Sequence, residues 1–258
     1  MKKIFTLFAV LTASLSLWAN GTENNHEFVD LGLSVKWANM NVGADSISAY
    51  GNYYAWGELV ANKDTFYWNN YKYCNSSYYA LTKYCTISSY GKVVDNKTTL
   101  EPADDAASVH WGGSWRMPTS AEWGELCDNC TWTWTTIGKV NGYQVTAQNG
   151  NSIFLPAAGF VQNTNPSQIN ASGCYWSSSL VTLPDYPNKA ISMFFAKNSK
   201  NYQSKNDRYL GYSVRPVCTS VSSVEEAQVG KNAPILLMNG RLYIRRGSTL
   251  YDLNGRKL

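Results

Sequence analysis

Apolar residues recur along this chain with the two-residue period of strands far more often than with the period of a helix. Thr131-Trp132-Thr133-Trp134-Thr135 alternates strictly and puts both indoles on one face of a strand. Gly142–Gln148 and Asn151–Leu155 flank Asn149-Gly150, a two-residue hairpin signal because both residues tolerate positive φ. Further strands are predicted over Phe28–Ala38, Tyr53–Glu58, Tyr175–Leu180, Ala190–Ala196 and Tyr209–Val217. Helical spacing is confined to two places. Over Ser120–Asn129, Trp123, Leu126, Cys127 and Cys130 make one apolar face behind Pro118, with Thr119 as N-cap and Glu122 completing a capping box. A shorter helix is predicted over Ala103–Val109, opened by Pro102 and favoured by Asp104 and Asp105 near its positive end. Two short helices among many antiparallel strands make an α+β domain.

Two polar stretches interrupt the pattern. Val161–Gly173 and Lys197–Asp207 are rich in Asn, Ser, Gln and Lys and are predicted as long loops, serving either as binding loops or as disordered decoration. Beyond Cys218, residues 219–233 are Ser/Val/Glu-rich and read as a linker. Residues 234–258 then form a short β segment with strands at Ile235-Leu236-Leu237, Leu242-Tyr243-Ile244 and Leu250-Tyr251-Asp252-Leu253. Asn239-Gly240-Arg241 and Asn254-Gly255-Arg256 repeat one turn, and so small a piece must dock, pair or be removed.

The first nineteen residues carry Lys2 and Lys3 ahead of a short apolar run and end in Leu17-Trp18-Ala19, the pattern of a cleaved signal peptide. Export is therefore expected, with residues 20–27 as an N-terminal linker and residues 28–218 as one domain. Nothing later approaches the ~18 apolar residues of a membrane span.

The net charge of +4 loses two positive charges with Lys2 and Lys3. Much of the remainder sits in the tail (Arg241, Arg245, Arg246, Arg256 and Lys257 against Asp252), so the domain body shows no footprint for nucleic acid. Charged residues make up 16% of the chain and aromatics 14%. Export with abundant Tyr and Trp suits a binding surface, although bulky sheet cores use the same residues.

Six cysteines in an exported chain permit three disulfides in any of fifteen pairings, with Cys74–Cys85 and Cys174–Cys218 the suggestive ones. Cys127 and Cys130 form a Cys-x-x-Cys, but at the C-terminal end of a helix beside Asp128, where the dipole disfavours a thiolate. With only His26 and His110 in the chain, a zinc set is short of ligands. His110 has no obvious nucleophile to serve and reads as structural.

Several motifs occur in one order: Phe28-Val29-Asp30-Leu31-Gly32-Leu33-Ser34-Val35-Lys36-Trp37-Ala38, Tyr54-Ala55-Trp56-Gly57-Glu58, and Trp111-Gly112-Gly113-Ser114-Trp115-Arg116-Met117-Pro118-Thr119. Phe154-Leu155-Pro156-Ala157-Ala158-Gly159, Tyr175-Trp176-Ser177-Ser178 and Ser213-Val214-Arg215-Pro216-Val217 follow. Together they resemble the Fibrobacter succinogenes major paralogous domain, which implies a C-type-lectin-like fold serving as a platform for binding loops.

Arg116–Trp123 also resembles a segment of the formylglycine-generating sulfatase-modifying factors, whose reactive element is a C-terminal cysteine pair. Here Cys218 stands without a nearby partner in sequence. The sugar-and-calcium motifs of C-type lectins are matched only by Glu101-Pro102-Ala103, and no dense carboxylate cluster offers calcium its six to eight oxygens. The resemblance implies that Arg116 and Arg215 are buried against backbone carbonyls. The segment Leu250–Arg256 resembles short C-terminal pieces of exported Bacteroidetes proteins, some of which are sorting signals.

These readings converge on a secreted or surface-held, non-enzymatic adhesion or recognition protein with a glycan or protein ligand and no cofactor or metal. Its binding face is expected on the loops between Phe160 and Arg208, with Tyr175, Trp176, Tyr202, Arg208 and Tyr209 as ligand-contacting residues, because flat rings offer large contact area at small entropic cost. The alternatives are a degenerate oxidase of the sulfatase-modifying type and a structural subunit of a surface assembly attached through its C-terminal segment.

Overall fold

The computed structural model describes residues 20–219 and, farther on, 235–238, 241–246, 249–252 and 256. The chain divides into two compact units, Met1–Ser220 and Val221–Leu258. Residues 1–19, expected to be a signal peptide, residues 220–233 of the expected 219–233 linker, and the Asn239-Gly240 and Asn254-Gly255 pairs expected at turns lie outside the described residues. Among the described residues, no helix is long and apolar enough to cross a membrane.

The first unit begins with β1 (Asn20–Glu23), β2 (His26–Val29) and β3 (Lys36–Ala38). Residues 20–27, read from sequence as a linker, are instead a hairpin: Asn20 pairs with Val29, and Asn24 and Asn25 supply positive φ at the turn. Phe28–Ala38 is broken into two strands around Gly32, whose φ of +70° reverses the chain. Tyr53–Glu58 makes a single bridge from Tyr54 to Tyr212 rather than a strand.

The helices are α1 (Ala106–Trp111) and α2 (Ser120–Asn129). The predicted first helix starts later than expected. Asp105 is its N-cap, accepting from the backbone N–H groups of Ala107 and Ser108, and a short 3-10 turn, Pro102–Asp104, precedes it. The second helix has the predicted bounds and capping box. Thr119 Oγ1 accepts from Glu122 N at 3.2 Å, and Glu122 Oε2 accepts from Thr119 N at 2.7 Å.

The remaining strands are β4 (Cys130–Ile137), β5 (Val140–Ala147), β6 (Ser152–Pro156), β7 (Phe160–Gln162), β8 (Asn165–Ser167), β9 (Ser172–Leu180), β10 (Lys189–Ala196), β11 (Ser199–Asp207) and β12 (Val217–Cys218). They form antiparallel sheets ordered β1-β2-β3-β12, β4-β5-β6 and β11-β10-β9, with β7-β8 as a small hairpin. The β5–β6 connection, Gln148–Asn151, has four residues, and Ala147 N donating to Asn151 O at 2.9 Å closes it. Gly150 (φ +86°) takes the left-handed position, while Asn149 spends its side chain on Asp30 O and Asn151 N. Tyr209–Val217 is mostly irregular, bridging Tyr54, Val161 and Tyr175 one residue at a time. Lys197–Asp207, predicted as a loop, is largely the edge strand β11, whose mostly polar residues alternate between exposed and half-buried, with Tyr202 lying over Gly124 of α2.

Two apolar clusters fill the unit. One packs α2, through Trp123, Leu126 and Cys127, onto the inner faces of β5, β6 and β10. The other joins Trp56, Trp68, Tyr71, Tyr84, Trp115 and Trp176 beneath long irregular segments. The second unit is a separate antiparallel sheet of β13 (Ile235–Met238), β14 (Arg241–Arg246) and β15 (Thr249–Asp252), matching the three predicted tail strands.

Candidate ligand-binding surface

Residues 59–98 hold seven tyrosines and almost no regular structure, so their backbone polar groups must be satisfied by side chains and single turns. Three of the tyrosines go inward. Tyr71 donates to Trp56 O at 2.9 Å, and the Tyr73 and Tyr84 hydroxyls both donate to the Asp104 carboxylate. Burial works to raise the Asp104 carboxyl, but hydrogen bonds from Lys83, Tyr73 and Tyr84 overcome it and hold the group at about 2. Asp95 accepts from Tyr84 N at 2.8 Å and Cys85 N at 2.9 Å. The buried Glu58 accepts from Lys72 N at 2.7 Å and pairs with Lys63 at 2.8 Å. Arg208 spans the interior beneath, donating to the carbonyls of Lys83, Tyr84 and Pro187 with its guanidinium 5.5 Å from the Trp56 ring.

On this pinned base the chain turns its other tyrosines outward. Cys74 bridges Leu81, Asn75 N donates to Ala80 O at 2.9 Å, and Ser76 takes φ +60° at the tip, so Tyr78 and Tyr79 stand on a tight hairpin. Tyr90 ends a 3-10 turn, Ser88–Tyr90, and accepts from Leu81 N at 2.7 Å. Gly91 permits that approach, because a Cβ there would collide with Leu81 O and the Cys85 sulfur. The result is a cluster of three rings with centroid separations of 4.1 Å (Tyr78–Tyr79), 5.1 Å (Tyr79–Tyr90) and 6.3 Å (Tyr78–Tyr90). The row continues from Tyr78 to Trp68 at 5.9 Å, to Tyr209 at 5.2 Å and to Tyr67 at 5.4 Å. Tyr79 is 57% exposed and Tyr67 48%, Tyr78 and Tyr90 are half-buried, and Trp68 and Tyr209 form the floor.

The structure puts most of the sequence-predicted contact residues in the interior. Tyr175 is fully buried and donates to Pro156 O at 2.7 Å. Trp176 is fully buried, stacks on Tyr212 at 4.3 Å and donates to Tyr54 O at 2.8 Å. Arg208 is the interior staple just described, and Tyr209 is the floor of the aromatic row, within 3.0 Å of Gln162 Nε2. Only Tyr202 reaches the surface, where its ring lies over Gly124 beside a depression of about 520 Å3. A larger depression, about 610 Å3, runs past Asp105, Ser108, Arg116 and Thr119. Of the loops between Phe160 and Arg208, the hairpin β7–β8 and the edge β11 are ordered elements. The exposed rings come chiefly from residues 67–90, where a non-periodic density of tyrosine was the available signal.

The arginines and cysteines complete the scaffold. Arg215 is buried and donates to Ala38 O, Asn39 O, Phe154 O and Asn41 Oδ1, as expected, whereas Arg116 is half-buried and is held by Glu122 at 2.5 and 2.8 Å as well as by the Met117 carbonyl at 3.1 Å. Cys74, Cys85, Cys127, Cys130 and Cys174 are free thiols, so neither Cys74–Cys85 nor Cys174–Cys218 is bridged. Their surroundings explain it: Cys74 donates to Trp68 O at 3.1 Å and Cys85 to Ile87 O at 3.2 Å. Burial pushes the Cys127 and Cys174 thiols up to about 12, leaving them neutral packing groups near pH 7. His110, on the exposed face of α1, places Nε2 2.9 Å from Leu59 O.

No family model, curated protein or solved structure matches this chain.

Proposed function

We propose that the chain is an exported, non-enzymatic recognition protein whose first unit has a C-type-lectin-like architecture of the major paralogous type and presents a ligand-binding face from its irregular loops. The reading rests on the ordered motifs and on one structural observation: a contiguous tyrosine surface raised on loops that buried side chains hold rigid. Arg116, Arg208, Arg215 and Asp104, the groups best suited to chemistry or to capturing charge, are consumed by internal partners. Flat aromatic surface on a fixed backbone gives contact area without a large ordering cost on binding. The binding face moves from the 160–208 region to residues 67–90, with Tyr209 as the point where the two regions touch.

The test is the purified full chain on combined glycan and protein arrays, wild type beside Tyr79→Ala/Tyr90→Ala. A ligand retained by wild type and lost by the double variant, with unchanged circular dichroism, is the expected result. Equal retention of every ligand by both proteins would remove the tyrosine surface from the binding face.

A further inference from the structure

The chemistry of the tyrosine surface narrows the class of ligand, and this step rests on the recognition reading above. Three features decide it. First, the rings touch: centroid steps of 5.1, 4.1 and 5.9 Å from Tyr90 through Tyr79 and Tyr78 to Trp68, with tilts of 32°, 37° and 48°, make a faceted aromatic surface closed between its rings. Proline-rich peptides dock into grooves between aromatics, which this arrangement lacks. The two depressions described above are lined by other residues.

Second, four of the five lysines of the segment are already engaged, leaving one exposed lysine, Lys92. No arginine occurs between residues 59 and 98. Lys63 pairs with Glu58, Lys72 and Lys83 with Asp104, and Lys97 with Glu101. Polyanions such as nucleic acid or sulfated polymers need clusters of available cations, and with these four spent Lys92 alone makes no cluster.

Third, the groups flanking the rings along the chain are neutral. Asn75, Ser76 and Ser77 precede Tyr78, and Ser88 and Ser89 precede Tyr90; all but Ser77 are exposed. Amides and hydroxyls both donate and accept, which matches a ligand that carries many hydroxyls and no charge.

We propose that Tyr67, Tyr78, Tyr79 and Tyr90 form a stacking platform for a neutral glycan chain. The weakly polar C–H faces of successive sugar rings lie on the phenol faces, and the Asn75–Ser77 and Ser88–Ser89 rims exchange hydrogen bonds with the sugar hydroxyls. The row of rings is longer than one sugar, so a chain of several units binds better than a monosaccharide. Stacking of this kind needs no metal ion and little electrostatic help.

The experiment is affinity electrophoresis of the full chain through native gels containing amylose, mixed-linkage β-glucan, mannan or xylan, backed by a glycan array. Expected are retardation by at least one neutral polymer, persistence in EDTA and in high salt, and a loss of about tenfold in affinity for Tyr79→Ala or Tyr90→Ala. Tyr79→Phe should retain most of it, since the ring face is kept. Retention only by heparin or DNA, or binding abolished by EDTA or high salt, overturns the glycan class. So does a protein ligand on the array with no neutral glycan, an outcome that leaves the recognition reading standing. Silence toward every glycan and every protein sinks both.

Discussion

The two apolar clusters of the first unit are built by different means. The one beneath α2 is walled by β5, β6 and β10, where ladders satisfy the backbone and side chains have only to fill volume. The one beneath residues 39–111 lies under irregular chain, where single side chains stand in for ladders: Asp95 for three amides, Asp104 for two phenols, Arg208 for three carbonyls. A sheet spreads its dependence over many equivalent bonds. A pinned loop concentrates it in a few side chains that have no substitute, and the outward tyrosines stand on those few.

Four measurements break or sharpen this contrast. The largest effect is expected from Arg208→Ala, which strands three buried carbonyls and should cost about 4 kcal/mol in urea unfolding. A loss under half of that would mean the loops hold themselves. Leu155→Ala in the sheet-walled cluster should cost about 3 kcal/mol through cavity formation alone, and hydrogen exchange over residues 59–98 should be unaffected by it. If that exchange accelerates, the clusters are one cooperative core and the contrast fails.

A third effect comes from Asp105, the α1 cap. Burial pushes its carboxyl from 3.8 up to about 6, against the opposing pull of N–H donors from Met117, Ser108 and Ala107. Because the folded value is the higher one, its contribution to stability is full below the unfolded value and is lost as pH rises through about 6. The loss amounts to about 3 kcal/mol by linkage. The difference in urea midpoint between wild type and Asp105→Asn, followed from pH 4 to 7, should therefore shift against wild type; a flat difference refutes it. The smallest effect is Tyr79→Ala. At 57% exposure it should change stability by no more than about 0.5 kcal/mol, so thermal unfolding of that variant should overlay wild type.

What the sequence disclosed follows the same division. The α2 capping box, the β4–β6 meander and the tail strands are written in neighbouring residues and are legible, whereas the interior role of Arg215 follows only from the resemblance. β11 reads as a loop because the half-buried face of this edge strand, Tyr202, Ser204 and Asn206, carries one apolar residue and so no apolar alternation. Tyr175 and Trp176 read from sequence as ligand-contacting rings although β9 is buried along nearly its whole length, and a strand covered on both sides gives no period to read. The binding surface was hidden for a further reason. Whether a tyrosine in residues 67–90 points in or out depends on partners far along the chain, as with Tyr84 and Asp104 or Tyr67 and Tyr209.

The pairing of β12 with β3 has a consequence for how the molecule is made. Val217 lies opposite Trp37 and also bridges Arg116, so the opening sheet is finished by nearly the last residues of the unit. Contacts of such long separation form late and slowly. A chain emerging from a ribosome or translocation channel N-terminus first must keep its third strand open until residue 218 is clear. A product cut short before Val217 would leave Trp37 without its backbone neighbour, ready prey for proteases and chaperones.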